Sequence, residues 1–299
     1  MGMLEYATPQ GVIAYAKRGM GDPVVLLHGL YPGGSHHEFD HNVAALQGGH
    51  TVYALDLLGY GQSDVPRIAH TAEMHQHFVR DFINDVIKQP AAVVASGVAC
   101  GIAARLGVYD DGCVSRLALL APLNKDVYHE PPGLTDRLSR FVLGTLAAGT
   151  SLYEVDASPA GLANWIDENY HDPAHIARQA RREKIRALRE EANEPGKMMA
   201  HISVLCGYFD TDLTHWLPYV RRPMLIVVGQ DSLPVPESAW LRPAQWSQGK
   251  RLEVIDAAKN FPHEEQSAKV NALLDEFLRE PSPHGESDVG GAGRNNAAF

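Results

Sequence analysis

Val24-Val25-Leu26-Leu27-His28-Gly29 and, further on, Val52-Tyr53-Ala54-Leu55-Asp56-Leu57-Leu58-Gly59-Tyr60-Gly61-Gln62-Ser63-Asp64 decide how this chain folds. Each opens with four consecutive apolar residues and ends in a glycine-bearing turn. Short apolar runs bounded by turn residues are the mark of strands buried on both faces, which belong to parallel sheets. The same signature recurs at Ala92 to Ala95, Leu117 to Leu120 and Leu225 to Val228. Helical patterns separate the runs at Phe39 to Leu46, Thr71 to Lys88 and Val98 to Leu106. Strand–helix alternation of this kind predicts right-handed βαβ units, and therefore an α/β protein with a doubly wound, mostly parallel sheet. At the N-terminus, Leu4 to Thr8 and Val12 to Arg18 flank Pro9-Gln10-Gly11 and read as a hairpin.

The alternation stops at Pro122. From about Leu123 to Arg221 only helical spacing is present, as in Leu138, Phe141, Val142 and Leu146, or Ile176, Ala180 and Ile185. A helical lid at 123–221, inserted after the fifth parallel strand, is expected between core segments 1–122 and 222–280. Arg222-Pro223 returns the chain to a strand, and the last strand is expected at about Leu252 to Ile255. Val270, Leu273, Leu274, Phe277 and Leu278 give the closing helix one apolar face. Residues 281–299, PSPHGESDVGGAGRNNAAF, are polar and glycine-rich and read as a disordered tail.

Composition narrows the partners. The net charge of -10 and a pI near 5.8 argue against nucleic-acid binding, which needs a basic footprint. The densest basic run, Arg178 to Arg189, is interleaved with Glu183, Glu190 and Glu191 and reads as a solvated helix face. Cys100, Cys113 and Cys206 are too scattered for a disulfide framework or a zinc motif. The start, MGMLEYATPQG, has neither a basic n-region nor a long apolar run, so no membrane association and a cytoplasmic location are expected.

His28-Gly29 after the first buried strand, and Asp56 to Asp64 after the next, resemble the HG turn and the D-x-x-G-x-G-x-S turn of α/β-hydrolases. The resemblance runs from residue 4 to residue 280. It implies a nucleophile on a strained strand-to-helix elbow of the form G-x-S-x-G, an acid after the next-to-last strand and a histidine after the last. The elbow is Val94-Ala95-Ser96-Gly97-Val98-Ala99-Cys100-Gly101, with Ala95 and Ala99 at the small positions and Gly97 in the nucleophile's place. Ser96 precedes that place and should aim elsewhere. The acid turn is Gly229-Gln230-Asp231-Ser232-Leu233-Pro234-Val235-Pro236, with Ser232 at the acid position and Asp231 one place early. Asp126, after the Leu117 to Leu120 strand, stands where some relatives keep their acid. The histidine motif is Lys259-Asn260-Phe261-Pro262-His263-Glu264-Glu265, with Asn260 at the catalytic position. His263 reads as a helix-start histidine near Glu265, or else as a displaced base.

Covalent acyl transfer requires a nucleophile, a base beside it and an acid that orients the base. All three side chains are absent from their matched positions. The backbone oxyanion donors implied by the resemblance, Leu30 and Val98, need no particular side chain and are retained. Tyr31, Ser35, His36, Ser96, Asp126, Asp231 and His263 are the candidates for pocket lining, and Trp165, Tyr170, Tyr208, Phe209 and Trp216 the lid aromatics that could shape it. His36, His37 and His41 have no specific ligand spacing, so neither metal nor other cofactor is expected. The first reading is a non-hydrolytic, cofactor-independent enzyme that cyclises, rearranges or eliminates from an apolar small molecule, in secondary metabolism. The alternatives are a non-catalytic small-ligand receptor or regulatory protein, as some members of the superfamily are, and a hydrolase with an unorthodox triad. Either a monomer or a homodimer fits.

Overall fold

The structure, a computed structural model, describes residues 2–122, 146–173, 178–209, 213–232 and 249–280. Eight strands form one sheet: β1 (Leu4–Thr8), β2 (Gly11–Arg18), β3 (Asp22–Leu27), β4 (His50–Leu55), β5 (Ala91–Ser96), β6 (Val114–Leu120), β7 (Met224–Gly229) and β8 (Lys250–Ile255). Their spatial order is β1-β2-β4-β3-β5-β6-β7-β8. The β1–β2 hairpin and the β2–β4 pair are antiparallel. All other pairs are parallel.

The apolar runs follow from this topology. Successive side chains of a strand point to opposite faces. Val25 and Leu27 join Val93, Leu117 and Ile226 on the face covered by α2 (Ala72–Phe82) and α3 (Cys100–Tyr109). Val24 and Leu26 join Val94, Leu120 and Leu225 on the face covered by α1 (Asp40–Leu46) and the closing helix Ser267–Arg279, which contributes Leu274 and Phe277. Leu26 and Leu27 both have no exposed surface. Burying a side chain of that size stabilises the fold by roughly 1.5–3 kcal/mol, so a polar residue on either face of these strands is costly.

Boundaries differ from the sequence reading in ways local chemistry explains. The helix expected at Thr71 to Lys88 begins with Thr71 as its cap, the hydroxyl accepting from Met74 N–H at 3.1 Å. It is α-helical only to Phe82, continues as a π turn over Ile83–Ile87, and ends at Lys88 in the left-handed region. The turn His36–Phe39 precedes α1 as a 3₁₀ segment. The helical insertion follows the fourth parallel strand, not the fifth, because the first two strands of the chain are the antiparallel hairpin. Between β6 and β7 the described residues carry helices and no strand: α4 (Leu146–Asp156), α5 (Pro159–Asn169), α6 (Arg178–Ala192), α7 (Met198–Leu205) and the short α8 (Leu213–Trp216). After β8 come α9 (Pro262–Glu265) and α10 (Ser267–Arg279). Residues 281–299, read as a tail, lie outside the described residues. Among the described residues no helix is long and apolar enough to cross a membrane.

The order also locates a site. From β3 the chain steps to one side to form β4 and then to the other to form β5. A crevice opens beyond the carboxyl ends of the strands where such a reversal occurs. Gly29 and Leu30 leave β3 there, and Gly97 and Val98 leave β5.

Candidate functional site

The turn after β4 is a scaffold. Asp56 Oδ1 accepts from His36 N–H at 2.7 Å and bonds His36 Nδ1 at 2.9 Å, while Oδ2 accepts from Gln62 N–H at 2.9 Å. Burial raises the Asp56 carboxyl, but the His36 hydrogen bond and charge outweigh it, and the pKa falls below the ordinary value. Gly61, at φ 51°, packs so closely on that carboxylate that a Cβ would lie 2.1 Å from Asp56 Cγ. His28 accepts from Leu57 N–H at 3.1 Å through Nε2 and meets Gly29 carbonyl at 2.8 Å through Nδ1. Those contacts fix the tautomer with the proton on Nδ1, and burial lowers its pKa. His36, a candidate pocket residue, is thus turned toward Asp56 and away from the crevice, and Ser35 is buried at the start of the same turn without lining the crevice.

At the elbow, Ser96 ends β5 in extended conformation, and Gly97 follows at φ 55° before the turn Gly97–Ala99 leads into α3. The tip of the strand–helix turn is therefore Gly97. Ser96 points beneath it, its hydroxyl wholly buried and without a well-formed hydrogen bond. It lies beside Glu38, whose carboxyl it helps to depress. Ala121, the residue after β6, is held at φ 42° beside the elbow. A non-glycine residue in that region costs of order 1–3 kcal/mol and is retained where the surroundings over-determine it.

The strongest electrostatic feature is one the sequence reading missed. Glu38 Oε1 meets His263 Nε2 at 3.0 Å, with both side chains fully buried. Glu38 Oε2 accepts from Gly29 N–H at 2.8 Å. Burial pushes the Glu38 carboxyl up, but the hydrogen bond and charge of His263 overcome this and bring it to about 2. His263 was expected near Glu265. Its partner is instead Glu38, because α9 turns the imidazole inward onto Phe39, with ring centroids 5.1 Å apart. Glu265 is occupied elsewhere, accepting from Lys259 N–H at 2.8 Å and His171 N–H at 2.6 Å. A carboxylate at the start of a short helical turn carries no sequence pattern that separates it from a surface residue, so Glu38 could have been found only from its three-dimensional partner.

The positions matched to the acid and the base hold structural contacts. Ser232 donates to Lys259 carbonyl at 2.7 Å. Asp231 is half exposed and pairs with His171 of the insertion. Asn260 donates through Nδ2 to Asn169 Oδ1 at 2.9 Å and through its backbone N–H to Asn169 carbonyl at 3.1 Å. Next to it, Glu264 receives Lys184 and, at 3.0 Å, the Tyr170 hydroxyl. The loops that would carry acid and base thus clasp the insertion to the core. Asp126 lies outside the described residues. Removal of the clasp amide by Asn169→Ala is expected to cost about 1–3 kcal/mol locally, and hydrogen exchange of residues 165–171 should then speed up while exchange in β3 to β6 stays unchanged.

Between the strand ends and the insertion lies a cavity of about 100 Å³ lined by Gly29, Leu30, Tyr31, Gly97, Val98, Ala121, Trp165, Asn169, Asn260 and Phe261. Tyr31 stacks on Trp165 with centroids 4.3 Å apart and meets Phe261 edge-on at 5.5 Å. Tyr170, behind Phe261, stacks on it at 5.3 Å. Gly97 and Val98 from one loop and Leu30 from the other meet here, and neither the Leu30 nor the Val98 N–H enters a turn or loop hydrogen bond among the described residues. Of the candidate pocket residues that are described, Tyr31 lines the cavity and Ser35, His36, Ser96, Asp231 and His263 do not. Tyr208 is exposed, Phe209 packs on His75 at 5.1 Å, and Trp216 packs on Tyr109 at 5.3 Å, all outside this cavity. Tyr31 is the one titratable side chain of the lining among the described residues, and burial, with Glu38 and Glu264 nearby, drives its phenol well above the ordinary range, so it stays protonated. No group of three or more His, Cys, Asp or Glu residues that could hold a metal ion occurs among the described residues.

A doubly wound sheet of this order, with a glycine-tipped elbow after β5 at the switch point, defines an α/β-hydrolase architecture. Residues 22–267 match the family model for the α/β hydrolase fold, and the chain belongs to that family. A Synechocystis protein named as a non-heme chloroperoxidase is 26% identical over 89% of this chain and 95% of its own length. A dihydrolipoyllysine-residue acetyltransferase component of an acetoin cleaving system from Cupriavidus necator is 36% identical, but over 40% of this chain. The match spans about a third of that relative's length (32%). Among solved structures, a meta-cleavage product hydrolase from Pseudomonas fluorescens IP01 aligns with a TM-score of 0.73 at 20% identity, over 90% of this chain and 95% of its own. The enol-lactonase of Burkholderia xenovorans LB400 aligns with a TM-score of 0.69 at 18% identity, over 93% of this chain and 100% of its own. At such identities the structural likeness speaks for the fold alone.

Proposed function

We propose that this protein is a non-hydrolytic, cofactor-independent enzyme that holds the carbonyl head group of an apolar small molecule in the cavity at the strand ends and promotes ring closure or rearrangement of that molecule. The observation that carries this reading is the lining itself. It sets the Leu30 and Val98 backbones, whose N–H groups enter no turn or loop hydrogen bond among the described residues, beside Gly97, which carries no nucleophile, and Asn260, which is no base. Preorganised donors stabilise negative charge developing on a carbonyl oxygen, about 2.7–4 kcal/mol for each in well-formed oxyanion sites. Aromatic walls that fix one folded conformer contribute further by orientation. Neither effect needs a covalent intermediate.

The hydrolases named above do not argue for hydrolysis here, because a covalent route needs a nucleophile, a base and an acid that this chain does not place at the elbow and the two facing loops. The absence of a nucleophile and of a histidine or carboxylate base from the described lining also favours a second reading, a receptor that returns its ligand unchanged. Incubation of apolar carbonyl compounds poised to cyclise in H₂¹⁸O separates the readings. The enzyme reading expects a product of unchanged mass and altered connectivity with no ¹⁸O incorporated. Binding with quantitative recovery of the starting compound favours the receptor, and ¹⁸O in an acid product contradicts both.

A further inference from the structure

Asn260 is 6% exposed and lines the cavity, and its amide orientation is dictated by its neighbours. The Trp165 carbonyl can only accept, and Asn169 Nδ2 donates to it at 2.8 Å. Asn169 therefore presents Oδ1 to Asn260, and Asn260 must answer with Nδ2, as it does at 2.9 Å. That leaves Asn260 Oδ1 as an acceptor with no partner among the described residues. An amide oxygen held in one orientation at the wall of an aromatic cavity favours a ligand that donates a hydrogen bond to it.

From this geometry we infer that the site selects a neutral ligand head group that carries a carbonyl oxygen and a hydrogen-bond donor side by side, such as a primary amide or an enol or hydroxyl beside a carbonyl. This deepens, and rests on, the reading of the cavity as a carbonyl site. The carbonyl oxygen takes the Leu30 and Val98 N–H groups, and the adjacent O–H or N–H donates to Asn260 Oδ1. A carboxylate fits the first contact and fails the second, since it has no donor and brings a second oxygen against Oδ1. The N-terminal end of α3 attracts an anion, but the Glu38 carboxylate, bonded to Gly29 N–H directly behind the cavity wall, opposes it. The head group must also be small. A cavity of about 100 Å³ is less than the roughly 150 Å³ that encloses a benzene ring.

Three isosteric probes test the selection: propionamide, 2-butanone and propionate, titrated into the ¹⁵N-labelled full chain while the amide resonances of Leu30, Gly97 and Val98 are followed. Propionamide is expected to bind at least about tenfold more tightly than 2-butanone, the worth of one well-placed hydrogen bond, and propionate more weakly than either. Asn260→Leu should remove the preference, so that propionamide and 2-butanone bind that variant equally. The probe ranking in the unaltered protein decides the matter even if that variant does not fold. Equal binding of 2-butanone, or propionate in first place, overturns the inference and spares the carbonyl site. Silence of all three at Leu30 and Val98 overturns the carbonyl site and this inference with it.

Discussion

His263→Ala is expected to destabilise the protein by about 3–5 kcal/mol, the usual cost of leaving a buried carboxylate without its partner. Glu38 and His263 have fully buried side chains. Without the imidazole, the Glu38 carboxylate keeps the Gly29 N–H at 2.8 Å but loses its contact at Oε1. The stacking of the imidazole on Phe39 is lost as well. Replacing both members with apolar residues of similar volume, Glu38→Leu with His263→Leu, should cost far less than the single change, because no charge is then left unpaired. Urea unfolding of the three variants measures this directly. The pH dependence follows from the same pair. The Glu38 carboxyl is held at about 2, below the ordinary 4.5. A carboxyl depressed in the folded state stabilises the fold fully above its unfolded pKa, and that contribution fades as pH falls through the folded value. The pair's contribution should therefore be complete above about pH 4.5 and decline from there toward pH 2, and Glu38→Gln should flatten that part of the stability curve.

The second large effect is a gain. If the missing side chains are all that separates this chain from acyl transfer, Gly97→Ser, Ser232→Asp and Asn260→His together should confer ester hydrolysis. Gly97 already has φ 55° at the tip of the elbow, and Leu30 and Val98 border the same space. Turnover of p-nitrophenyl acetate by the triple variant is expected to exceed that of the original protein by at least about a hundredfold, the lower end of what a positioned base contributes. Gly97→Ser alone should give nothing measurable, since a serine hydroxyl without a base is a poor nucleophile. Asn260→His also breaks the bond to Asn169, so the triple variant should show faster exchange in α5 alongside its new activity.

The sheet was legible in the amino-acid sequence almost entirely because its strands are buried on both faces. An unbroken apolar run as short as Val24 to Leu27, closed by a glycine turn, suits a strand covered on both sides, and the order of such runs with the intervening helices leaves few topologies. The elbow, too, could be placed, since small residues at Ala95 and Ala99 are imposed by local crowding around Gly97. What escaped were contacts between distant segments. Glu38 meets His263 across 225 positions, and Asn169 meets Asn260 across 91. Neither pairing leaves a periodic trace. The candidate pocket residues were chosen for chemistry and proximity in sequence, yet Ser96 faces the underside of the elbow and His36 faces Asp56. The direction of a side chain at a turn depends on backbone angles that motifs do not report. The walls of the cavity come instead from Tyr31, Trp165 and Phe261, whose stacking brings three separate stretches of chain together.

Intact-mass spectrometry after exposure to a fluorophosphonate, and separately to p-nitrophenyl acetate, puts the absence of covalent chemistry to its most direct trial. The unmodified mass is expected in both cases, with the triple variant shifted by one adduct under the same conditions. A stoichiometric adduct on the original protein, at Ser96 or at any other residue, would contradict the account.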